Sequence, residues 1–417
     1  MTSVTCRLCS AALEHVFVDL GSSPLSNSYL KAEQLQEMEP FFPLKVFVCA
    51  RCWLVQLPAV TLPEAIFTDY AYFSSYSESW LRHARNYVEQ MIALRSLSSS
   101  SHVMELASND GYLLQYFVER GIPVLGVEPA ANVAKTATEK GIPTRVAFFG
   151  RQTARELAEE GRHADLLLGN NVLAHVPDIH DFIGGMKIIL KPEGILTMEF
   201  PHLMNLIDYN QFDTIYHEHF SYLSFIAAER AFADHGLVLY DVEELSTHGG
   251  SLRIYGRHVE HTELPVTQRA QALRQREREL GLDRLETYID FGRKVEATKR
   301  DLLEFLIAAK REGKQVVGYG APAKGNTLLN YCGVRQDFLD YTVDRNPHKQ
   351  GLFLPGTHVP IHAPERIAET KPDYVIILPW NLKDEVIAQM AHVREWGGKF
   401  IVPIPNVEEV GDDLHGN

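Results

Sequence analysis

Four cysteines stand in two Cys-x-x-Cys pairs, Cys6/Cys9 and Cys49/Cys52, in a chain of 417 residues that holds only five cysteines. Two thiolates separated by two residues can face one ion from a tight turn, and two such turns complete a tetrahedron. The pattern therefore specifies metal ligation in a reducing compartment rather than a disulfide framework, and zinc suits four sulfurs. Four cysteines leave no open coordination position, which makes the site structural. The 39 residues between the pairs exceed ordinary ribbon spacing. Residues 1–60 carry four Lys and Arg against five Asp and Glu, without the basic excess of a nucleic-acid ribbon. Cys332 stands apart and reads as a buried apolar residue.

A second group able to do chemistry is Tyr216-His217-Glu218-His219-Phe220-Ser221-Tyr222. Histidine removes and returns protons near neutrality, and a neighbouring Tyr or Glu can orient or tune it. HExxH is absent, which excludes a zincin; a His217/His219 metal pair is the other reading, and a catalytic base the better one. In the run from Val103 to Gly111, the residues Glu105, Leu106, Ala107, Ser108 and Gly111 form a strand end and turn that opens a helix, where backbone N–H groups can receive an anionic group. The next strand, Val124–Val127, ends at Glu128, about 20 positions on, where a carboxylate grips ribose hydroxyls. Glu105 or Glu128 alone could equally cap a helix; the pair points to a ligand. A dinucleotide turn would read G-x-G-x-x-G, and only Gly111 is present, so S-adenosylmethionine fits better than a nicotinamide cofactor. A third strand ends in Asn170, Asn171 and His175, at the carboxyl edge where open α/β sheets bind ligands. Further on, Val317-Gly-Tyr-Gly-Ala-Pro-Ala-Lys324-Gly-Asn326 is another glycine-rich turn, aimed at phosphate, with Lys324 to supply charge. It departs from a Walker A loop, so a nucleotide-sugar pyrophosphate or a non-binding turn suits it better than an NTPase role.

These groups need a scaffold. Residues 1–76 read as short strands and turns around the cysteines. Residues 77–257 alternate strand and helix, with strands at Val103–Leu106, Val124–Val127, Asp165–Leu168 and Ile195–Phe200, the signature of a parallel sheet covered on both faces. Residues 258–417 begin with a charged helical stretch, Gln268–Lys310, whose apolar stripe is Leu285, Tyr288, Ile289, Val295, Leu302 and Leu306. A second α/β unit then runs from Val316. The expected architecture is α/β: a small zinc-binding domain, a central Rossmann-like domain and a C-terminal Rossmann-like domain. Apolar content of 45% supports real cores, and a net charge of −14 argues against coating nucleic acid. No apolar run reaches membrane-spanning length, and the N-terminus has no signal-peptide pattern, so the expectation is a soluble cytoplasmic protein.

Taken in order, Cys6-Arg-Leu-Cys9, Leu20-Gly-Ser-Ser-Pro-Leu25, Cys49-Ala-Arg-Cys-Trp53, Tyr70-Ala-Tyr72-Phe-Ser-Ser-Tyr76, Ala107-Ser-Asn-Asp-Gly111, Tyr216-His-Glu-His219, His248-Gly-Gly-Ser-Leu-Arg253 and Tyr319-Gly-Ala-Pro-Ala-Lys324 resemble the sugar C-methyltransferases that act on nucleotide-linked ketosugars. Each motif is weak alone and the ordered set is specific, covering essentially the whole chain. The resemblance implies a zinc module, a central S-adenosylmethionine domain and a C-terminal domain that helps hold the sugar nucleotide. The implied reaction methylates a ring carbon beside a ketone, usually C3 of a dTDP-4-keto-6-deoxy sugar and C5 in some members. Such a carbon loses a proton only to a base set over it, with the enolate oxygen hydrogen-bonded in a dry pocket. His219 is the implied base. Tyr216 and Glu218 position it or shape the pocket, and His175 with Tyr222 donate toward the enolate oxygen. Cofactor binding falls to Glu105, Leu106, Ala107, Ser108, Gly111, Glu128, Asn170 and Asn171. Substrate binding falls to Tyr70, Tyr72, His248, Arg253, Lys324 and Asn326, with a monomer as the expected state. The competing classes are an NAD-dependent sugar-nucleotide oxidoreductase and a non-catalytic zinc scaffold.

Overall fold

The computed structural model of the protein describes residues 4–60 and 74–410. It is an α/β protein whose chain forms two compact units, each built from separated stretches. The first takes Met1–Leu13, Cys49–His202 and Phe220–Asp283; the second takes Glu14–Val48, Leu203–His219 and Arg284–Asn417. The cysteine turns belong to the first unit, while the intervening hairpin, His15–Ser23 against Phe42–Val48, belongs to the second. A lone hairpin has little core of its own. Phe17 instead stacks on Phe291 of the helix Leu285–Arg311, with centroids 4.5 Å apart and rings 4° from parallel.

The sheet of the first unit has seven strands. From one edge they run Leu237–Leu245, Ser251–His258, Leu190–Pro201, Ala164–Asn170, Val103–Leu106, Val124–Glu128 and Thr144–Val146. The last five are mutually parallel, and Ser251–His258 pairs antiparallel on both sides. All four residues of Val103–Leu106 are buried, as a central strand covered on both faces requires. Its chain neighbour Val124–Glu128 lies on one side and Ala164–Asn170 on the other, so the order reverses here and opens a crevice at the carboxyl edge. The helix Glu78–Arg95 covers this sheet with Ala84, Tyr87, Val88 and Met91, a spacing that lines one face of a 3.6-residue helix. Ser77 caps its start by accepting from the Trp80 N–H.

In the second unit a six-stranded sheet runs Ile361–His362, Thr342–Val343, Val316–Tyr319, Tyr374–Ile377, Lys399–Val402 and Glu408–Val410, parallel except for the last. The charged helical stretch expected over Gln268–Lys310 is two helices, Gln268–Glu279 and Leu285–Arg311. Gly281, at φ +82°, breaks it, a backbone state that glycine alone adopts freely. Tyr288, Val295, Leu302 and Leu306 are buried as expected, whereas Ile289 lies outside the stripe and is 45% exposed. No helix among the described residues is long and apolar enough to cross a membrane.

Candidate active site and metal centre

The Sγ atoms of Cys6, Cys9, Cys49 and Cys52 lie within 4.8 Å of one another, with Cys6–Cys52 and Cys9–Cys49 each at 3.4 Å. Bonds of about 2.3 Å from one zinc to four sulfurs demand this kind of spacing, so the residues fit the metal. The two turns that present them are copies of one geometry. In each, the first cysteine's N–H donates to the carbonyl five residues on, Ala11 or Leu54, and its carbonyl accepts from the N–H four residues on, Ser10 or Trp53. Ser10 (φ 58°) and Trp53 (φ 64°) both take the left-handed conformation, at a cost of about 1–2 kcal/mol each for a side-chain-bearing residue. Gln56, buried, donates from Nε2 to Cys6 Sγ at 3.1 Å and accepts from the Arg7 N–H. Hydrogen bonding from Cys52 and Gln56 brings the Cys6 thiol down to about 4, while the same sulfur contact and burial push Cys52 up. Cys332 is buried and apart from this group, its thiol pushed up to about 12 by burial.

At the carboxyl edge of the first unit, the turn after Val103–Leu106 is held by Glu128. Its Oε2 accepts from the Asn109 N–H and its Oε1 from the Ala130 N–H, both at 2.9 Å. Glu128 therefore caps the turn itself, and burial raises its pKa. Ala107 sits at φ 54° with its N–H on the Val127 carbonyl, in a place that favours glycine. Gly111 (φ +75°) is favoured by its backbone, and a Cβ there would lie 2.3 Å from Ile142 Cδ1, so that side chain would have to move. Ser108 is buried against Gly126, and Leu106 is core. Glu105 is fully buried, with Tyr112 as its neighbouring hydrogen-bonding side chain. Burial raises its pKa well above the usual range, Tyr112 opposes, and Glu128 and Asp110 add to the rise.

Asn170 donates to Tyr112 Oη at 3.2 Å, and Asn171 lies 3.0 Å from His248 Nε2. His175 ends a short turn, Leu173–His175, directly beyond that edge. Arg253 is almost fully buried and committed to two carboxylates, Glu199 and Glu243, each at 2.8 Å. The hydrogen bond with His83, whose Nε2 lies 2.9 Å away, and then the Arg253 charge hold Glu199 at about 2 against its burial. Sequence reading assigned no role to His83, Trp80 or Glu199. Trp80 nonetheless stacks on His83 (5.0 Å) and Tyr112 (5.9 Å) and meets His248 edge-on (5.2 Å). Trp80 and His83 lie three apart on one helix, a signal that was available. Tyr222 is buried in the short strand Ser221–Tyr222, which pairs with Val55–Gln56. Tyr70 and Tyr72 lie outside the described residues.

In the second unit, His219 is buried and its Nδ1 lies 3.0 Å from the Thr214 carbonyl. A carbonyl can only accept, so the proton of the neutral ring is on Nδ1 and the basic lone pair on Nε2. Tyr216 leans over this ring with centroids 4.1 Å apart. Glu218 accepts from Asn27 Nδ2 at 2.7 Å, and burial raises its pKa. His217 points elsewhere: its Nε2 meets the Pro43 carbonyl at 3.3 Å, and burial lowers its pKa. Among the described residues the only group arranged to hold a metal is the four cysteines. Lys324 donates to Asn381 Oδ1 at 2.7 Å and sits 4.3 Å from the Trp380 ring centre. Desolvation lowers its pKa, with Asp213 opposing; Asp213 itself, bonded to Trp380 Nε1, is raised to about 6 by burial. Asn326 is buried and donates to the Ser26 carbonyl. The backbone N–H of Ala321, inside the glycine-rich turn, donates to Asp344.

Family models match three successive parts of the chain: a zinc binding domain at residues 6–67, a methyltransferase domain at 80–242 and a C-methyltransferase C-terminal domain at 246–405. The C-methyltransferase NovU of Streptomyces niveus is 37% identical over 402 residues, covering 96% of this chain and 95% of that protein. The ubiquinone biosynthesis O-methyltransferase of Bartonella bacilliformis is 31% identical over 98 residues, 22% of this chain and 38% of its own length. Among solved structures, the magnesium protoporphyrin IX methyltransferase of Synechocystis with bound SAH covers 42% of this chain and 82% of its own, at 15% identity and a TM-score of 0.35. With 37% identity over nearly the whole length of one C-methyltransferase and the matching zinc and methyltransferase models, the chain belongs to the C-methyltransferase family and is an S-adenosylmethionine-dependent C-methyltransferase with a zinc-binding cysteine module.

Proposed function

We propose that the protein methylates a ring carbon beside the ketone of a nucleotide-linked sugar, a dTDP-4-keto-6-deoxy sugar methylated at C3, with C5 the alternative carbon, in deoxysugar biosynthesis in the cytoplasm. The observation that carries this reading is the orientation of His219. The Thr214 carbonyl accepts a hydrogen bond from Nδ1–H, which puts the basic lone pair on Nε2, the atom assigned to take a proton from carbon in the buried setting of this ring. Tyr216 against the ring and Glu218 on Asn27 fix the neighbourhood in which that base works. His175 and Tyr222 are assigned to hydrogen-bond the enolate oxygen. Bound S-adenosylmethionine supplies an electrophilic sulfonium methyl, so the protein's task is alignment more than activation, and alignment can contribute roughly 7–11 kcal/mol.

The side chains expected to recognise the sugar nucleotide are already engaged within their own units, Arg253 by two glutamates and Lys324 by Asn381. The reading therefore gives pyrophosphate recognition to backbone N–H groups of the glycine-rich turn as much as to Lys324. His219→Ala is expected to lower turnover by at least about 10²–10⁴ while S-adenosylhomocysteine still binds by calorimetry. Full turnover in that variant overturns the base assignment. Incubation with a panel of dTDP-4-ketosugars in D₂O checks the substrate: deuterium should enter at the carbon that gains the methyl group.

A further inference from the structure

The first cysteine turn grips the loop that carries His175, and it does so through the two residues between its own cysteines. Arg7 donates from one guanidinium nitrogen to the Pro177 carbonyl at 3.0 Å and from the other to the Leu57 carbonyl. Leu8 offers its carbonyl to His180 Nε2 at 2.8 Å. The second turn reaches the same loop from the other side. Leu57, five residues past Cys52, donates its N–H to the Phe220 carbonyl, and the Phe220 N–H donates to the Ala174 carbonyl at 2.7 Å. His175 thus lies between two held carbonyls, Ala174 and Pro177, and both tethers lead back to the cysteine module.

The partners of His180 define its state as well. Its Nε2 faces a carbonyl, its Nδ1 lies 2.8 Å from His235 Nε2, and His235 Nδ1 lies 3.2 Å from an Arg151 guanidinium nitrogen. A carbonyl only accepts and a guanidinium only donates. The chain of bonds therefore runs one way, from Arg151 through His235 and His180 to Leu8. It ties the helices Arg151–Glu159 and Ile179–Ile189 to the cysteine turn.

We infer that Arg7 is a positioning residue for the methyl-transfer reaction: the zinc-held turn uses its guanidinium fork to fix the loop Leu173–Pro177, and so the place of His175. This rests on the role proposed above for His175. Arginine suits the task because its planar fork spans two carbonyls at once, which a lysine ammonium cannot do in a fixed direction.

The test compares Arg7→Ala, Arg7→Lys and wild-type protein, each with zinc content, S-adenosylhomocysteine affinity, amide hydrogen exchange of Val172–Asp178, and kcat and KM with the ketosugar that proves active. The expected result for Arg7→Ala is full zinc content, cofactor-product affinity within twofold of wild type, about tenfold faster exchange in that peptide, and a kcat lowered about tenfold with little change in KM. Arg7→Lys should recover part of both losses. Chelating zinc from the wild-type protein should speed exchange in the same peptide, which keeps the idea testable if Arg7→Ala does not fold. Unchanged exchange in either variant overturns the inference, as does loss of zinc in step with loss of activity. If His175→Ala keeps full turnover, the reading of His175 has failed; exchange then judges the clamp alone, fast in Arg7→Ala supporting it and unchanged overturning it.

Discussion

The two α/β units build the same turn from different residues. In the first unit, Ala107 takes a left-handed backbone and gives its N–H to Val127, while the Glu128 carboxylate at the end of the next strand accepts from Asn109 N–H. In the second, Gly320 does the same with Val343, and Asp344 accepts from Ala321 N–H. Backbone and topology are shared, so the difference in function must come from what surrounds each turn. Around Ala107 the buried groups are acidic, Glu105, Asp110 and Glu128. The helix that follows Gly320, Ala323–Cys332, carries Lys324 in its first turn, and Lys349 donates to the Ala321 carbonyl. On the proposed function, the first edge takes the cationic cofactor and the second the anionic pyrophosphate, so that a shared turn would serve two ligands through a few side chains at its switch point.

That contrast can be broken most directly at the carboxylates. Glu128→Ala should weaken S-adenosylhomocysteine binding about 10–100-fold, the effect of removing charged hydrogen bonds of roughly 1.5–3 kcal/mol, whereas Asp344→Ala should leave it within twofold. Equal effects in calorimetry would show that the units do not divide the ligands this way. Next in size is Gly320→Ala. Its Cβ would lie 2.5 Å from Pro379 Cδ at φ +89°, so thermal unfolding should shift down by more than the roughly 1–2 kcal/mol of conformational strain alone.

The pH dependence of cofactor binding separates the edges further. The Glu105 pKa is raised in the ligand-free protein, and a cation beside it favours the ionised form. Binding of S-adenosylmethionine should therefore release a proton, and affinity should strengthen as pH rises through that raised value. Glu105→Gln should flatten the slope, read by calorimetry in buffers of different ionisation enthalpy. For the ligand-free fold the sign is opposite. The carboxyl holds its proton more tightly folded than unfolded, so its contribution is fully present below the unfolded value of about 4.3 and is lost as pH climbs through the folded one. The smallest effect is Ala107→Gly, which relieves the strained alanine and should stabilise the protein by up to about 1 kcal/mol in thermal unfolding.

What the sequence made legible was local. The cysteine turns, the strand ends at Glu105 and Glu128 and the glycine-rich turn each carry their signal within a few residues. The placement of Arg253 and Lys324 was not legible, because a cation facing a ligand and one facing Glu199 or Asn381 look alike until the topology brings the partner near. Glu277 makes the point within one helix. Amid a charged run it reads as a solvent-facing residue, yet it is fully buried, 2.6 Å from His202 Nε2, and accepts the Phe225 and Ile226 N–H groups. Only a long-range contact distinguishes it from its neighbours. The hairpin of His15–Ser23 and Phe42–Val48 lies between the two cysteine pairs along the chain, and its aromatic face is completed by a helix far downstream, a contact no local pattern announces.

That interleaving sets an order of events during synthesis. Both cysteine turns have left the ribosome soon after Cys52, so a metal ion can close them while most of the sheet strands are still untranslated. Phe17, just inside the loop that this closure defines, waits for Phe291. At about 5–20 residues per second the delay is roughly 15–55 s. During that time the hairpin's apolar face has no native cover, and early zinc capture holds both ends of the exposed segment close together. In this sequence of events the metal is also an early long-range contact of the nascent chain, made before any strand of either large sheet has been translated.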